Sequence, residues 1–170
     1  MPTKFIRLKK VISGGQIGAD EAALFTSKKF KFETGGWMPK RFLALDGLKP
    51  QFKKLYGIQE HPQGNYTART FQNVEDSDGT IRCGYNFSTP GEVITLEAVR
   101  KFSKPHLDIA LSLSKTKLKT QVEEALKFLR LNQIKILNVA GNSEWTCPGT
   151  YEATCKFLTA LFTSIRQFQK

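Results

Sequence analysis

The sequence has 170 residues, of which 40% are hydrophobic and 24% charged, a composition typical of one globular domain with a real core. Lys and Arg outnumber Asp and Glu by 26 to 15, and the net charge of +11 favours anionic partners: nucleotides, phosphorylated cofactors, nucleic acid or an acidic membrane surface. No apolar run is long enough to cross a bilayer, and the basic start from Met1 to Lys10 lacks an apolar signal region, so we expect a cytoplasmic protein.

The first half of the chain alternates short apolar runs with helical patterns. Predicted strands cover residues 10–13, 32–37 and 80–84, and predicted helices cover residues 18–29 and 65–75. Residues 47–64 contain prolines and glycines and show no clear period, so we expect mostly loop there.

The second half opens with the helix start Thr89-Pro90-Gly91-Glu92. Thr89 can cap the helix, Pro90 suits its first position, and Glu92 can complete a capping box. This helix extends to about residue 102. The elements that follow are a strand at 106–111, a helix with Leu118, Val122, Ala125, Leu126 and Leu129 on its buried face, a strand at 134–139 and a helix at 150–169.

Strands that alternate with helices indicate βαβ units, which pair as parallel strands through right-handed crossovers. We therefore predict an α/β fold: a three-layer, Rossmann-like domain over residues 1–170, with a mainly parallel sheet and helices on both faces. Ligands of such folds bind beyond the carboxyl ends of the strands, so the loops at that edge hold the candidate functional residues.

The cysteines indicate neither a metal site nor a disulfide framework. Cys83, Cys147 and Cys155 show no CxxC spacing, and their odd number in a chain without a signal peptide argues for reduced thiols. His61 and His106 lie at no ligand spacing from them, so we predict no metal site.

The loop after the first predicted strand reads SGGQIGAD over residues 13–20. Its glycines allow a sharp turn that aims backbone N–H groups at an anion, although the same residues suit a purely structural turn. The candidate phosphate contacts are Gly14, Gly15, Gln16 and Gly18. Asp20 is a candidate catalytic base, but its carboxylate also suits the helix dipole.

The loop after the second predicted strand holds Gly36, Trp37, Lys40 and Arg41. Trp37 offers a face for stacking on a ring, and the two cations can neutralise a phosphate. The alternative places the indole in the core and both cations on the surface.

The helix start with Thr89 and Gly91, and Thr95 one turn further on, is a third candidate site. A helix N-terminus with a glycine suits a phosphate. Glu92 argues against this, because a capping box uses the donors that a phosphate needs and its charge repels an anion.

The loop after the predicted strand at 134–139 is the fourth candidate. Gly141 and Asn142 can contact a ligand, and Glu144 can accept a hydrogen bond from a ribose hydroxyl or act as a base. The alternative is a polar loop before the last helix. Asp78 is a further candidate base, although a helix-end turn explains it more simply.

Six motifs occur in one order along almost the whole chain. They read VISGGQIGAD at 11–20, GGWMPK at 35–40, RT and NV within 69–74, DSDGT at 76–80, LNVAG at 137–141 and PGTYE at 148–152. Together they resemble the putative molybdenum carrier family, a circularly permuted branch of the YpsA-like Rossmann proteins that is similar to the lysine-decarboxylase-like (LOG) superfamily. The resemblance implies a phosphate-binding pocket, a homo-oligomer, and a nucleotide or the molybdenum cofactor, a phosphate-bearing pterin, as ligand.

The chain departs from the family pattern at two places. Ile17 stands where the opening motif usually has threonine, which removes a hydroxyl from the pocket. Hydrolytic LOG relatives carry PGGxGTxxE, whereas residues 90–98 read PGEVITLEA, with Ala98 at the glutamate position. Glu97 is displaced by one residue, which turns a helical side chain by about 100°. The resemblance to phosphoribohydrolases is correspondingly weaker.

The favoured function is a binding or carrier protein for a phosphorylated pterin or nucleotide-like ligand, which requires no catalytic group. The alternative is an enzyme that hydrolyses or transfers a group on a nucleotide-derived substrate, with Asp20, Asp78 or Glu144 as base. A third hypothesis, suggested by the net charge of +11, is charge-driven nucleic-acid binding, although no recognised nucleic-acid motif is present.

Overall fold

The computed structural model describes residues 5–168, so residues 1–4 of the basic start and the predicted helix end at Gln169 lie outside it. Within that range the chain forms eight strands, six α-helices and a 3-10 turn at Lys40–Phe42. The strands are β1 (Lys10–Ile12), β2 (Glu33–Met38), β3 (Leu43–Ala44), β4 (Gly47–Leu48), β5 (Ile58–Glu60), β6 (Gly79–Gly84), β7 (His106–Ala110) and β8 (Ile136–Gly141). The helices are α1 (Ala19–Lys29), α2 (Gln51–Tyr56), α3 (Tyr66–Glu75), α4 (Pro90–Lys101), α5 (Lys115–Leu131) and α6 (Thr150–Phe168).

The main sheet has six parallel strands in the order β5-β2-β1-β8-β6-β7, and β3 and β4 form a separate antiparallel hairpin. From β1 the chain builds outward through β2 to β5, crosses to β6 and β7, and returns with β8 between β1 and β6. Ile12 of β1 pairs with Gly35 on one side and Asn138 on the other. The direction of winding therefore changes around β1, β8 and β6, where open α/β sheets bind their ligands.

Helices cover both faces of the sheet, which confirms the predicted three-layer, Rossmann-like fold. Helix α6 packs against α1 and α5 on one face, and α3 packs against α4 on the other. The larger core lies beneath α1, α5 and α6, where Ile81, Leu137 and Leu158 are completely buried. Val122, Ala125 and Leu129 of α5 belong to this core, as predicted from their spacing.

The opposite face of the sheet carries buried polar side chains. Successive residues of a strand point to opposite faces, so Arg82 and Asn138 lie on the α3 and α4 side, next to Ile81 and Leu137 of the large core. Asn138 Nδ2 donates a hydrogen bond to Thr80 Oγ1 at 3.2 Å. Buried polar groups are normally satisfied in this way, and this layer therefore presents a polar surface to the start of α4.

The expectation of mostly loop over residues 47–64 is wrong, because this stretch contains β4, α2 and the edge strand β5. Phe52 and Ile58 are buried against Met38, which gives both short elements a core contact. Gly57 ends α2 in the left-handed conformation, with φ 71°. These short elements bury too few side chains to produce a hydrophobic periodicity in the sequence.

The predicted helix start at Pro90 is confirmed, with Thr89 as the N-cap residue of α4. No helix within residues 5–168 is both long and apolar enough to cross a bilayer.

Candidate functional site

A cavity of about 370 Å³ opens beyond the carboxyl ends of β1, β6 and β8. Its wall is formed by the β1–α1 loop, helix α3, the start of α4, the β8–α6 loop and the tip of the β3–β4 hairpin. Cavities of roughly 300–1,000 Å³ typically hold small ligands. Three of the four loops that the sequence predicts as ligand sites meet here, and the loop after β2 does not.

At the glycine-rich β1–α1 loop, the Asp20 carboxylate accepts a backbone N–H that was predicted to bind the anion of a ligand. The Gln16 backbone N–H donates to Asp20 Oδ2 at 3.3 Å, and the Gly15 N–H donates to Ser13 Oγ at the same distance. Burial raises the pKa of Asp20, against the lowering effect of Arg69 and of the backbone N–H groups of Gln16 and Gly14. These N–H groups therefore bind the protein's own side chains in this structure, and phosphate contact by this loop stays a prediction.

Arg69 reaches the cavity from α3 because Gly14 has no side chain. A Cβ atom on Gly14 would lie 1.8 Å from Arg69 Nη1. That nitrogen lies 3.5 Å from Asp20 Oδ2, and the guanidinium carbon lies 5.8 Å from the ring centroid of Tyr66. Arg69 Nε is buried without a hydrogen-bond partner in the described chain. A guanidinium has five N–H donors, so Arg69 retains hydrogen-bonding capacity for an anion.

Glu92 is buried and does not reach back to cap α4, so the predicted capping box is wrong. Its side chain is 2% exposed, and its Oε2 lies 3.7 Å from Arg82 Nη1 without a hydrogen bond. Arg82 instead binds Asp108 through two hydrogen bonds of 2.7 and 2.6 Å. Burial raises the pKa of Glu92 to about 7, and the attraction of Arg82 only partly offsets this rise.

Asn142 fixes the loop between β6 and α4. Its Oδ1 accepts hydrogen bonds from the Tyr85 and Asn86 N–H groups at 2.8 and 3.0 Å. Its Nδ2 donates to the Asn86 carbonyl at 2.8 Å and to Thr89 Oγ1 at 3.4 Å. Asn142 lines the cavity, but its side-chain amide, which we expected to contact a ligand, is hydrogen-bonded to other residues of the protein.

The cavity gathers part of the predicted set of contacts. Its wall includes Gln16, Asp20, Thr89, Gly91, Thr95, Gly141 and Asn142. Its wall does not include Gly14, Gly15, Gly18, Gly36, Trp37, Lys40, Asp78 or Glu144. Ligand contact by any of these residues stays a prediction, and the cavity favours the first group.

The side chains after β2 are directed elsewhere. Trp37 Nε1 donates a hydrogen bond to Asp76 Oδ2 at 2.8 Å, and its ring packs edge-on against His61 with 5.8 Å between centroids. Lys40 is exposed, and its aliphatic stem lies beside Gly64. Neither side chain faces the cavity beyond β1, β6 and β8.

All three candidate bases accept backbone N–H groups, and two of them do so outside the cavity wall. Asp78 Oδ2 accepts two N–H groups where β8 begins, both at 2.8 Å, at the amino edge of the sheet and thus opposite the cavity. Glu144 accepts the N–H groups of Gly149 and Tyr151 at 2.6 and 2.7 Å and so caps the start of α6. Asp20 is the candidate base that lines the cavity.

Arg69 and Glu92 escape prediction from the sequence. Arg69 lies within a helix, and only its place in the family motifs at 69–74 distinguishes it. Glu92 fits a capping box, and nothing in the sequence shows that it turns inward. Thr70, from the same motif as Arg69, also lines the cavity. Further wall residues without a sequence signal of their own are Leu45, Tyr66, Ile94 and Thr146.

Helix α4 lacks the glutamate of the hydrolytic LOG pattern in space as well as in sequence. Ala98 is completely buried, and Glu97 is exposed and does not line the cavity. Glu97 therefore does not replace the missing glutamate, as its one-residue displacement predicts.

The chain is similar to known proteins over most of its length. The sequence model of the circularly permutated YpsA SLOG family matches residues 11–162. The crystal structure of the putative molybdenum carrier protein from Syntrophus aciditrophicus SB matches with a TM-score of 0.83 and 35% sequence identity, over 92% of this chain and 95% of that chain. No curated protein matches the sequence. The extent of the family match confirms the resemblance seen in the motifs, and the chain belongs to the circularly permutated YpsA SLOG family.

Proposed function

We propose that the chain binds a phosphate-bearing small molecule, nucleotide-like or a phosphorylated pterin, in the cavity beyond β1, β6 and β8. The observation that carries the proposal is the position of Arg69. Its guanidinium lies at the cavity wall, beside Gly14 and Asp20, and its buried Nε has no hydrogen-bond partner in the part of the chain that the structure describes. A planar guanidinium binds a pair of phosphate oxygens through two parallel hydrogen bonds.

The start of α4 supplies a second attraction for an anion. Gly91 lies in the first turn of α4 and lines the cavity, and a Cβ atom there would meet nothing within 4 Å. A ligand can therefore come close to the helix end, where the helix dipole favours negative charge. Leu45 and Ile94 add apolar wall against which a ring can pack.

The name of the Syntrophus protein suggests the molybdenum cofactor as one such ligand. Arg69 suits the phosphate of that cofactor, and the apolar wall suits its pterin ring. The cavity wall, as far as the described residues form it, contains no cysteine or histidine. Within residues 5–168, no three His, Cys, Asp or Glu side chains are grouped to hold a metal ion. The protein would therefore hold this cofactor through its pterin and phosphate.

The second candidate function is hydrolysis or group transfer on a nucleotide-derived substrate. Asp20 favours it, because burial raises the pKa of this carboxyl at the wall of a cavity, and a base that works near neutral pH needs such a rise. Turnover that Asp20→Asn abolishes while ligand binding persists would support the enzyme. Binding without turnover in the unchanged protein would support the carrier.

Thermal unfolding with a ligand panel tests the proposed function. The panel contains AMP, ADP-ribose, NAD, molybdate, a phosphorylated pterin and a short DNA. A true ligand at about 100 times its Kd should add about 2.7 kcal/mol of stability, or roughly 5–11 °C for a chain of this size. We expect such a shift with a phosphorylated compound, and we expect Gly91→Leu to remove it. A shift with DNA alone would contradict the small-molecule site and favour nucleic-acid binding.

A further inference from the structure

Glu92 is the acidic side chain in the cavity wall that shares its ion-pair partner, Arg82, with another carboxylate, that of Asp108. The groups that face it are Arg82 from β6, Asp108 from β7, Asp20 from α1 and Arg69 from α3. Arg82 donates from Nε and Nη2 to Asp108, and its Nη1 donates to the backbone carbonyl of Glu92. Arg69 lies 3.5 Å from Asp20. Each cation is thus matched by another carboxylate, and an ionised Glu92 adds a surplus negative charge to the cavity wall.

The geometry of Glu92 leaves this charge poorly compensated. Its Oε2 is buried without a hydrogen-bond partner among residues 5–168, and the 3.7 Å to Arg82 Nη1 is too long for a hydrogen bond. Glu92 is itself part of the cavity wall. A buried charge that receives no hydrogen bond and shares a cation with another carboxylate is costly, so burial favours the neutral form of this carboxyl.

We propose that an anionic ligand enters this cavity together with a proton, which Glu92 takes up from solvent. This inference rests on the proposed function, because it concerns binding of an anion in the same cavity. A protonated Glu92 removes the surplus negative charge that would repel the ligand, and its O–H becomes a donor to an anion oxygen. The pKa of Glu92 in the empty protein, raised to about 7 by burial, makes this proton available near neutral pH.

Proton uptake gives the affinity a specific pH dependence. An anion that binds only the Glu92-protonated protein should lose affinity by about tenfold for each pH unit above pH 7. Sulfate is a suitable probe, because it resembles phosphate but stays a dianion throughout this range. Any pH dependence of its affinity therefore belongs to the protein.

The experiment measures the sulfate affinity by NMR titration at about pH 6, 7 and 8.5 and constant ionic strength. The proteins are the unchanged chain, Glu92→Gln and the control Glu97→Gln, which makes the same chemical change on the exposed side of the same helix. We expect the unchanged chain and Glu97→Gln to lose affinity by at least tenfold across this range, whereas Glu92→Gln binds equally well at every pH.

Three results would overturn the inference. They are a pH-independent affinity in the unchanged chain, a pH dependence that persists in Glu92→Gln, and a pH dependence that Glu97→Gln removes. Failure of all three proteins to bind sulfate even near pH 6 would contradict the anion site itself, and the proposed function would fall together with the inference. Binding with the wrong pH dependence leaves the proposed function intact.

Discussion

Replacing Glu92 with glutamine is expected to stabilise the fold more and more as the pH rises. The difference in the free energy of unfolding between Glu92→Gln and the unchanged chain should grow by about 3 kcal/mol from pH 4.5 to pH 8. Glu92 is 2% exposed, and burial raises its pKa from the ordinary 4.5 to about 7. Both the folded and the unfolded chain are protonated at Glu92 below about pH 4.5, so the carboxyl costs no stability there. Between pH 4.5 and about pH 7, Glu92 is ionised in the unfolded chain but protonated in the folded chain. The folded chain therefore loses stability as the pH rises through this range, and the loss is complete above about pH 7.

Urea unfolding of Glu92→Gln and the unchanged chain at several pH values measures this effect, because glutamine cannot ionise. Glu97→Gln is the matched control, since Glu97 is exposed on the same helix and its replacement should give a small difference that does not change with pH. A constant difference between Glu92→Gln and the unchanged chain over the same pH range would show that Glu92 is not held in an unfavourable charged state.

Gly36→Ala is expected to destabilise the fold by roughly 4 kcal/mol, and Gly47→Ala by roughly half as much. Gly36 and Gly47 have nearly the same backbone angle, with φ values of +123° and +124°. Alanine is therefore strained to a similar degree at both positions. The difference is that a Cβ atom on Gly36 would lie 2.2 Å from the Ser13 carbonyl oxygen, whereas one on Gly47 would meet nothing within 4 Å.

The pair thus separates backbone strain from collision between neighbouring strands. Chemical denaturation of both variants gives the two free energies, and the excess loss in Gly36→Ala reports the close approach of β2 to the backbone that follows β1. Equal losses would indicate that the sheet moves apart at Gly36 without cost, in which case the glycine is needed there for its φ angle alone.

The elements and their order could be predicted from the sequence because their signals are local. The glycine-rich turn before α1, the Pro90 helix start and the spacing of Val122, Ala125 and Leu129 each depend on neighbouring residues. The parallel sheet follows from the alternation of elements, and it brings three of the four candidate loops together at one edge. The short elements α2 and β5 could not be predicted, since their burial depends on Phe52 and Ile58 meeting a distant strand.

The direction of individual side chains could not be predicted from the sequence. Trp37 is suited to stack on a ring, but its indole donates to Asp76 across 39 residues of chain. Arg69 looks like an ordinary helical arginine until the fold places it over Gly14. Such contacts join residues that are far apart in sequence, and they decide which polar groups remain for a ligand.

The account depends most on the claim that Arg69, and not Lys40, receives the anionic part of the ligand. Both cations belong to family motifs, but Arg69 lines the cavity and Lys40 is exposed away from it. The most direct test is the affinity for inorganic phosphate near pH 6, measured in Arg69→Gln and Lys40→Gln, with circular dichroism to verify that both variants fold. We expect Arg69→Gln to weaken phosphate binding at least tenfold and Lys40→Gln to change it by less than about twofold. An unchanged affinity in Arg69→Gln, or a larger loss in Lys40→Gln, would contradict the site described for this cavity.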